Sequence, residues 1–289
     1  MTGPARVAAA VAGLAAAFGV AVLAGAAVPQ IHDGAGPAGH GHAAAAGAGG
    51  HGAGHAVAAP AGLAVAEDGL RLVADTTALP VGRAATWRFR IVGTDGHAVT
   101  AFDVEHERRM HLIVVRRDLT GYQHLHPAMA PDGTWSVRVR LGAPGVHRAY
   151  ADFSAGGRAL TLATDLSAAG AFVPRPLPPP APVARSGRYS AELEPHGARA
   201  GATAELAYRL RRDGRPVDGV EPYLGADGHL VALREGDLAF LHVHPEESDD
   251  PSTIRFGATL PSPGRYRLFL QFKHDGEVRT VTHTLVVTR

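Results

Sequence analysis

Histidines recur in this chain at a spacing that suits a bound metal ion. His111 is followed 13 residues later by His124-Leu125-His126-Pro127, and the same pattern begins again at His229. The two triplets are His111, His124, His126 and His229, His242, His244. Clustered imidazoles commonly bind transition metals such as copper, zinc or nickel. We therefore predict that each triplet binds a transition metal ion, copper or zinc.

A hairpin must position each triplet for its rings to meet. His124 and His126 lie two residues apart on a strand, so their side chains point to the same face. If the preceding strand pairs so that His111 lies opposite His126, all three rings share that face, with opposed Cβ atoms about 4.5–5.5 Å apart. A slip of one residue sends His111 to the other face. The alternative is that these rings are partly buried strand residues that only brace the hairpin.

Further candidate ligands lie beside the first triplet and upstream of it. Met110 and Met129 flank the first triplet, whereas Gly228 and Glu247 stand at the matching places of the second. A thioether favours copper, and a carboxylate favours zinc or harder ions. A histidine-bearing tract in residues 29–61 adds candidate low-affinity ligands. These are His40, His42, His51 and His55.

The rest of the chain indicates an all-β protein with two similar domains. Segments such as 86–92 and 134–140 alternate apolar and polar residues, which is typical of half-buried strands, and Asp-Gly or Pro-Gly turns separate them. The first triplet and the Pro-Gly turn that follows it recur in the second half of the chain, so the chain contains an internal repeat. We predict two tandem immunoglobulin-like or cupredoxin-like antiparallel β-sandwich domains. The predicted bounds are 62–173 for domain 1, 174–185 for a Pro-rich linker and 186–289 for domain 2.

The amino terminus is predicted to be a signal peptide or a membrane anchor. Residues 7–28 carry no charge and follow Arg6. A helix of that length spans about 33 Å, enough to cross a bilayer, while Ala24-Gly25-Ala26 fits a signal cleavage site. With residues 1–28 assigned to this role, residues 29–61 form a flexible linker, and the domains lie outside the cytoplasm. The cell membrane is thus one expected partner, through residues 7–28.

Composition excludes several functions. The chain has no Cys, which removes disulfides, thiolate metal sites and thiol catalysis. A net charge of +1 is too small to attract nucleic acid. No nucleophile or dinucleotide motif is present. We predict a protein that is not an enzyme and binds no nucleic acid.

The chain resembles bacterial YtkA-like, heavy-metal-associated proteins. The residues that carry the resemblance are Met110-His111-Leu112, then His124-Leu125-His126-Pro127, then Pro144-Gly145. The resemblance covers both repeats. It implies a β-sandwich outside the cytoplasm, often linked to copper handling. The absence of Cys departs from true cupredoxins and excludes their electron-transfer role.

Together these features predict an exported or membrane-anchored protein that binds a transition metal through its histidine triplets. The main alternative is a non-catalytic extracytoplasmic β-sandwich interaction or adhesion module whose histidines are structural. A third hypothesis is a cupin-like metalloenzyme, since Gly236 and His242-Val243-His244 match the opening of the first cupin motif. Glu246 and Glu247 come too early for the acid of that motif, so this hypothesis ranks last.

Overall fold

The structure is a computed structural model that describes residues 61–241 and 243–289. These residues form β-strands joined by turns and loops, so the fold is all-β, as predicted. Among them, no helix is long and apolar enough to span a membrane. The predicted signal peptide or anchor and nearly all of the histidine-bearing linker lie outside the described residues.

Domain 1 is a sandwich of two antiparallel sheets. One sheet has the strand order β1-β2-β3-β7-β6 and the other β5-β4-β8-β9. Its strands are β1 (Ala66–Glu67), β2 (Leu70–Ala74), β3 (Ala84–Val92), β4 (His111–Arg116), β5 (Gln123–Leu125), β6 (Ala128–Met129), β7 (Trp135–Arg140), β8 (Gly145–Ala155) and β9 (Arg158–Ala168).

Domain 2 repeats this arrangement. One sheet has the order β10-β11-β12-β17-β16, with β13 added beside β12, and the other has the order β15-β14-β18-β19. Its strands are β10 (Val183–Ser186), β11 (Tyr189–His196), β12 (Thr203–Arg212), β13 (Arg215–Pro216), β14 (His229–Arg234), β15 (Phe240–Leu241), β16 (Val243–Glu246), β17 (Thr253–Thr259), β18 (Gly264–His274) and β19 (Glu277–Val287). No strand lies between Ala168 and Val183, where the linker is Pro-rich.

Each sandwich has its own core, built by side chains that alternate between the faces of a strand. On β3, Trp87, Phe89 and Ile91 are fully buried, while Arg88 and Arg90 point to solvent. Burying the large aromatic residues supplies most of the stabilisation of such a sheet pair. This pattern is the one the alternating sequence predicts.

The strands β4 and β14 do not alternate in exposure, because both of their faces are covered. Leu112 and Val114 of β4 face the core of domain 1, whereas Ile113 and Val115 pack against domain 2. The same division holds on β14. The four-stranded sheets therefore pack on one another through an apolar layer, which we call the junction. It comprises Ile113, Val115, Leu119, Tyr150, Ala163, Leu177, Val231, Leu233, Leu238, Phe240 and Phe269, with Tyr122 at its edge.

Ring stacking, a hydrogen bond and a tight backbone contact reinforce the junction. The rings of Tyr122 and Phe269 stack with centroids 4.1 Å apart, and the Tyr150 hydroxyl donates to the Leu238 carbonyl at 2.6 Å. Gly62 lies in the left-handed region with φ of 70°, and a Cβ there would lie 2.7 Å from the Tyr150 ring. Only glycine fits this close approach without strain. The two sandwiches are thus joined by continuous packing as well as by the linker.

Candidate metal centre

The hairpin of domain 1 has the register that brings its triplet together. Leu112 pairs with Leu125 and Ile113 with His124, so His111 lies opposite His126. The ring centroids are 5.2 Å apart for His111 and His124, 5.1 Å for His111 and His126, and 4.8 Å for His124 and His126. All three rings lie on the face of β4 and β5 that points toward domain 2.

Domain 2 contributes a fourth ring to this group. His229 lies on β14 at the position equivalent to His111, and the two copies pack through the same face. Its ring centroid is 5.6 Å from that of His111, with the planes 11° apart, and 4.5 Å from that of His124. One nitrogen from each of His111, His124 and His229 lies within 4.8 Å of the others. We call His111, His124, His126 and His229 the histidine cluster.

The expectation of a second, separate triplet does not match the structure. His244 is exposed on β16, where it pairs with Gly257 in the other sheet of domain 2. In domain 2 the chain is already in the other sheet at Val243, whereas in domain 1 it changes sheets between Leu125 and Ala128. His229 is thereby separated from His244, and its ring packs against the histidines of domain 1. The prediction for His242 lies outside the described residues.

The two methionines proposed as thioether ligands do not lie in the cluster. Met110 is buried in the core of domain 1, because it precedes His111 on the strand and points to the opposite face. Met129 packs against the same core. The predictions for His40, His42, His51 and His55 lie outside the described residues.

Hydrogen bonds orient two of the rings. The Nε2 atom of His111 lies 3.1 Å from the Glu105 carbonyl oxygen, and the Nδ1 atom of His124 lies 2.7 Å from the Gln271 side-chain oxygen. The Glu105 carbonyl can only accept, so His111 donates from Nε2, and His124 donates from Nδ1 where the Gln271 oxygen faces it. The inner nitrogens, His111 Nδ1 and His124 Nε2, then face one another at 3.0 Å. A neutral ring carries a proton on only one nitrogen, so with the Gln271 oxygen facing His124 both inner atoms present lone pairs. With that amide turned by 180°, His124 Nε2 donates to His111 Nδ1.

The other two rings each have a buried nitrogen that lacks a hydrogen-bond partner within residues 61–241 and 243–289. These atoms are His126 Nε2 and His229 Nδ1. A buried polar atom without a partner costs about 1–3 kcal/mol. Such atoms in a native protein call for an explanation, and coordination of a metal ion is a recognised one.

Burial keeps the cluster neutral. It lowers the pKa of His124 to about 3 and that of His126 to about 4, and neighbouring imidazoles add to both shifts. Burial also lowers the pKa of His111 and holds that of His229 well below its ordinary value. Neutral imidazole is the form that coordinates a metal, so the rings are ready to bind at neutral pH.

Sequence reasoning missed two residues at this site. The ring centroid of His106 lies 6.2 Å from those of both His111 and His229. The short distance from Glu105-His106-Glu107 to His111 in the sequence was the available signal. Gln271, which pairs with His229 between β14 and β18, carried no signal that sequence alone reveals.

The donor set determines which ions suit the site. The three nitrogens that lie within 4.8 Å of one another all belong to imidazoles, and no carboxylate of the described residues joins that group. Imidazole suits copper, zinc, nickel and iron, whereas magnesium and calcium prefer oxygen ligands. A copper or zinc ion therefore fits these residues better than a hard cation does.

Comparisons with known proteins give a family match and a general likeness of fold. The family model described as Domain of unknown function (DUF8832) matches residues 64–170 and 184–289, one copy for each sandwich. The two copies agree with the internal repeat. A search of curated proteins finds no match.

Solved structures give a likeness of fold alone. The Escherichia coli adhesin FdeC is 15% identical, with 78% of this chain and 65% of that chain covered and a TM-score of 0.27. Invasin, a bacterial integrin-binding protein, is 14% identical, with 78% and 40% covered and a TM-score of 0.25. Salmonella alpha-2-macroglobulin reacted with methylamine is 11% identical, with 78% and 15% covered and a TM-score of 0.28. The chain thus spans less than two thirds of each of these structures.

Proposed function

The chain belongs to the DUF8832 family through both of its sandwiches, and on that premise we propose that it is a non-catalytic extracytoplasmic binding module. The ligand that the geometry supports best is one transition metal ion, copper or zinc, bound between the two domains. His111 and His124 come from domain 1 and His229 from domain 2. The sequence prediction of metal binding is kept, with one shared site in place of two separate ones.

The observation that carries this proposal is the pair of inner nitrogens. With the Gln271 oxygen facing His124, two lone pairs meet at 3.0 Å and repel unless a cation lies between them. Two nitrogens bound to one tetrahedral ion at about 2.0–2.1 Å lie roughly 3.3 Å apart. The outer nitrogens donate to a carbonyl and an amide oxygen, which is the usual support of a metal-binding histidine. The cluster thus has the arrangement of a ligand set.

The extracytoplasmic location rests on the sequence. The apolar segment 7–28 after Arg6 directs the remainder of the chain out of the cytoplasm as a cleaved signal or an anchor. The resemblance to YtkA-like proteins stays a prediction that agrees with this location and with copper. The histidine-bearing tract of residues 29–61 is proposed to collect ions at low affinity.

The stoichiometry of binding tests the shared site. The parent protein for this test carries Ala in place of the histidines of the linker, so that only the domains bind ions. These linker histidines are His32, His40, His42, His51 and His55. Isothermal titration of this parent with Cu(II) or Zn(II) is expected to give about one ion per chain, because the ligands come from both domains. His124→Ala and His229→Ala are each expected to weaken binding at least about tenfold, as the loss of an outer-sphere partner already costs that much.

Exposed histidines outside the cluster provide the matched control. His97→Ala is expected to bind like the parent, since His97 lies on an exposed turn. Two ions per chain, with His229→Ala losing only one of them, would favour separate triplets. Equal binding by the parent and both cluster variants would overturn the site assignment.

A second candidate function is an interaction module in which the histidines only brace the junction. It is favoured by the apolar junction, which holds the domains together without an ion. It also fits a Gln271 amide turned by 180°, so that its NH2 donates to His124 Nδ1 and His124 Nε2 donates to His111 Nδ1. Adhesins are among the solved structures with a general likeness, but that likeness is too distant to add support.

Replacing Gln271 separates the two candidate functions. Gln271→Glu keeps an acceptor for His124 Nδ1 and adds negative charge, so we expect zinc affinity to rise by about tenfold. In the bracing arrangement the amide must donate, and glutamate removes that donor. The brace therefore predicts a lower free energy of unfolding in chelator and no zinc binding. Titration calorimetry and urea unfolding of the variant and its parent measure both quantities.

A further inference from the structure

A turn beside the cluster carries a fifth histidine. Glu105 and Arg108 form an isolated antiparallel bridge, with backbone hydrogen bonds of 2.8 and 2.9 Å in both directions. His106 and Glu107 between them have φ values of 48° and 64°. Two successive residues in the left-handed region define a tight type I′ turn. The turn also supplies the Glu105 carbonyl that orients His111, so it is tied directly to the cluster.

The ring of His106 lies just beyond bonding range of a shared ion. Its centroid is 6.2 Å from those of His111 and His229, one from each domain. Two imidazoles on one tetrahedral ion have centroids roughly 5 Å apart, given nitrogen–metal distances of about 2.0–2.1 Å. A change of about 1 Å, within the reach of a side-chain rotation, brings the ring in. His106 is exposed, whereas His111 is only 3% exposed, so His106 stands at the solvent side of the cluster.

The internal repeat shows that the turn itself needs no histidine. In domain 2 the equivalent turn is bridged by Tyr223 and Ala226, and its central residues are Leu224 and Gly225, with φ values of 57° and 79°. Glycine adopts this conformation without the cost that a side chain brings. Domain 1 keeps His106 and Glu107 in the same strained geometry. The local fold therefore does not explain the imidazole at position 106.

We propose that His106 is an additional ligand that closes over the bound ion from the solvent side. This inference rests on the proposed metal site and assigns to it a ligand that moves. His111, His124 and His229 bind the ion first, from the side away from solvent, and His106 then occupies a remaining coordination position. Its loss leaves the His111, His124 and His229 ligands in place, so binding persists but the ion escapes faster.

Variants copied from domain 2 test this role in the parent protein that lacks the linker histidines. His106→Leu copies Leu224 and preserves the turn, and Glu107→Gly copies Gly225 as the matched control. Cu(II) is the probe. His106→Leu is expected to release Cu(II) to a competing chelator at least about tenfold faster, and its EPR spectrum is expected to lose one coordinated nitrogen. Glu107→Gly is expected to match the parent in both measurements.

The outcomes distinguish this inference from the proposed function. If the parent binds Cu(II) and His106→Leu matches it in release rate and nitrogen count, His106 is not a ligand, although the metal site stands. If the parent binds no Cu(II), the proposed function itself fails. His106→Ala repeats the measurement without a new apolar side chain. If His106→Leu and His106→Ala both release Cu(II) at the rate of the parent, the proposal is wrong.

Discussion

Acidification from pH 7.5 to pH 5 in the presence of a chelator is expected to lower the free energy of unfolding by about 4 kcal/mol. Two largely enclosed rings, His124 and His126, account for this amount. Burial and neighbouring imidazoles lower the pKa of both in the folded state, to about 3 for His124 and about 4 for His126. In the unfolded chain both titrate near the ordinary value of about 6.5.

The sign follows from the protons bound in each state. Below pH 6.5 the unfolded chain protonates these rings while the folded protein does not, so acid favours unfolding. Their contribution to stability is complete above pH 6.5 and is lost as the pH falls toward the folded-state pKa. At pH 5 each ring lowers the free energy of unfolding by about 2 kcal/mol, because pH 5 lies about 1.5 units below the pKa of the ring in the unfolded chain. Such a loss is a large part of the 5–15 kcal/mol that typical domains have.

Urea unfolding of the chain at a series of pH values measures this loss. His124→Leu removes one of these titrating rings, so its pH dependence is expected to be smaller by about 2 kcal/mol over the same range. His97→Leu, on an exposed turn, is expected to keep the dependence of the wild type. An identical dependence in all three proteins would show that the cluster stays solvated and would contradict the burial described above.

Much of the fold could be predicted from the sequence because its signals are local. The alternation in β3 and the turns that follow it indicate strands directly, and the repeat indicates two copies of one sandwich. The hairpin of β4 and β5 is also a local feature, although the sequence leaves open by one residue the register that places His111 opposite His126. Each of these features depends on residues close together in the chain.

The pairing between the two copies could not be predicted in the same way. β4 and β14 read as ordinary apolar strands, and the sequence does not say that their second faces meet. Only that contact brings His229 of domain 2 to His111 of domain 1. Likewise, nothing local indicates that the chain changes sheets before His244. Contacts between residues more than 100 positions apart are set by packing, which a single sequence does not display.

The largest effect of a single substitution is expected at Phe269, in the centre of the junction. Its ring is 2% exposed and stacks on Tyr122 at 4.1 Å. Phe269→Ala removes this packing and is expected to cost about 3–5 kcal/mol, the usual price of a buried Phe-to-Ala change. Because the lost contacts lie between the domains, calorimetry is expected to show two unfolding transitions in place of one. Metal affinity is expected to fall with it, since the ion needs ligands from both domains.

Phe272 offers a matched control on the same strand. It is equally buried, but three residues along β18 its ring points into the core of domain 2. Phe272→Ala is expected to cost a similar amount while the domains still unfold together and His229 stays beside His111. If both variants behave alike in the number of transitions and in metal affinity, the junction does not couple the domains. A split confined to Phe269→Ala shows that the packing that joins the sandwiches also assembles the metal ligands.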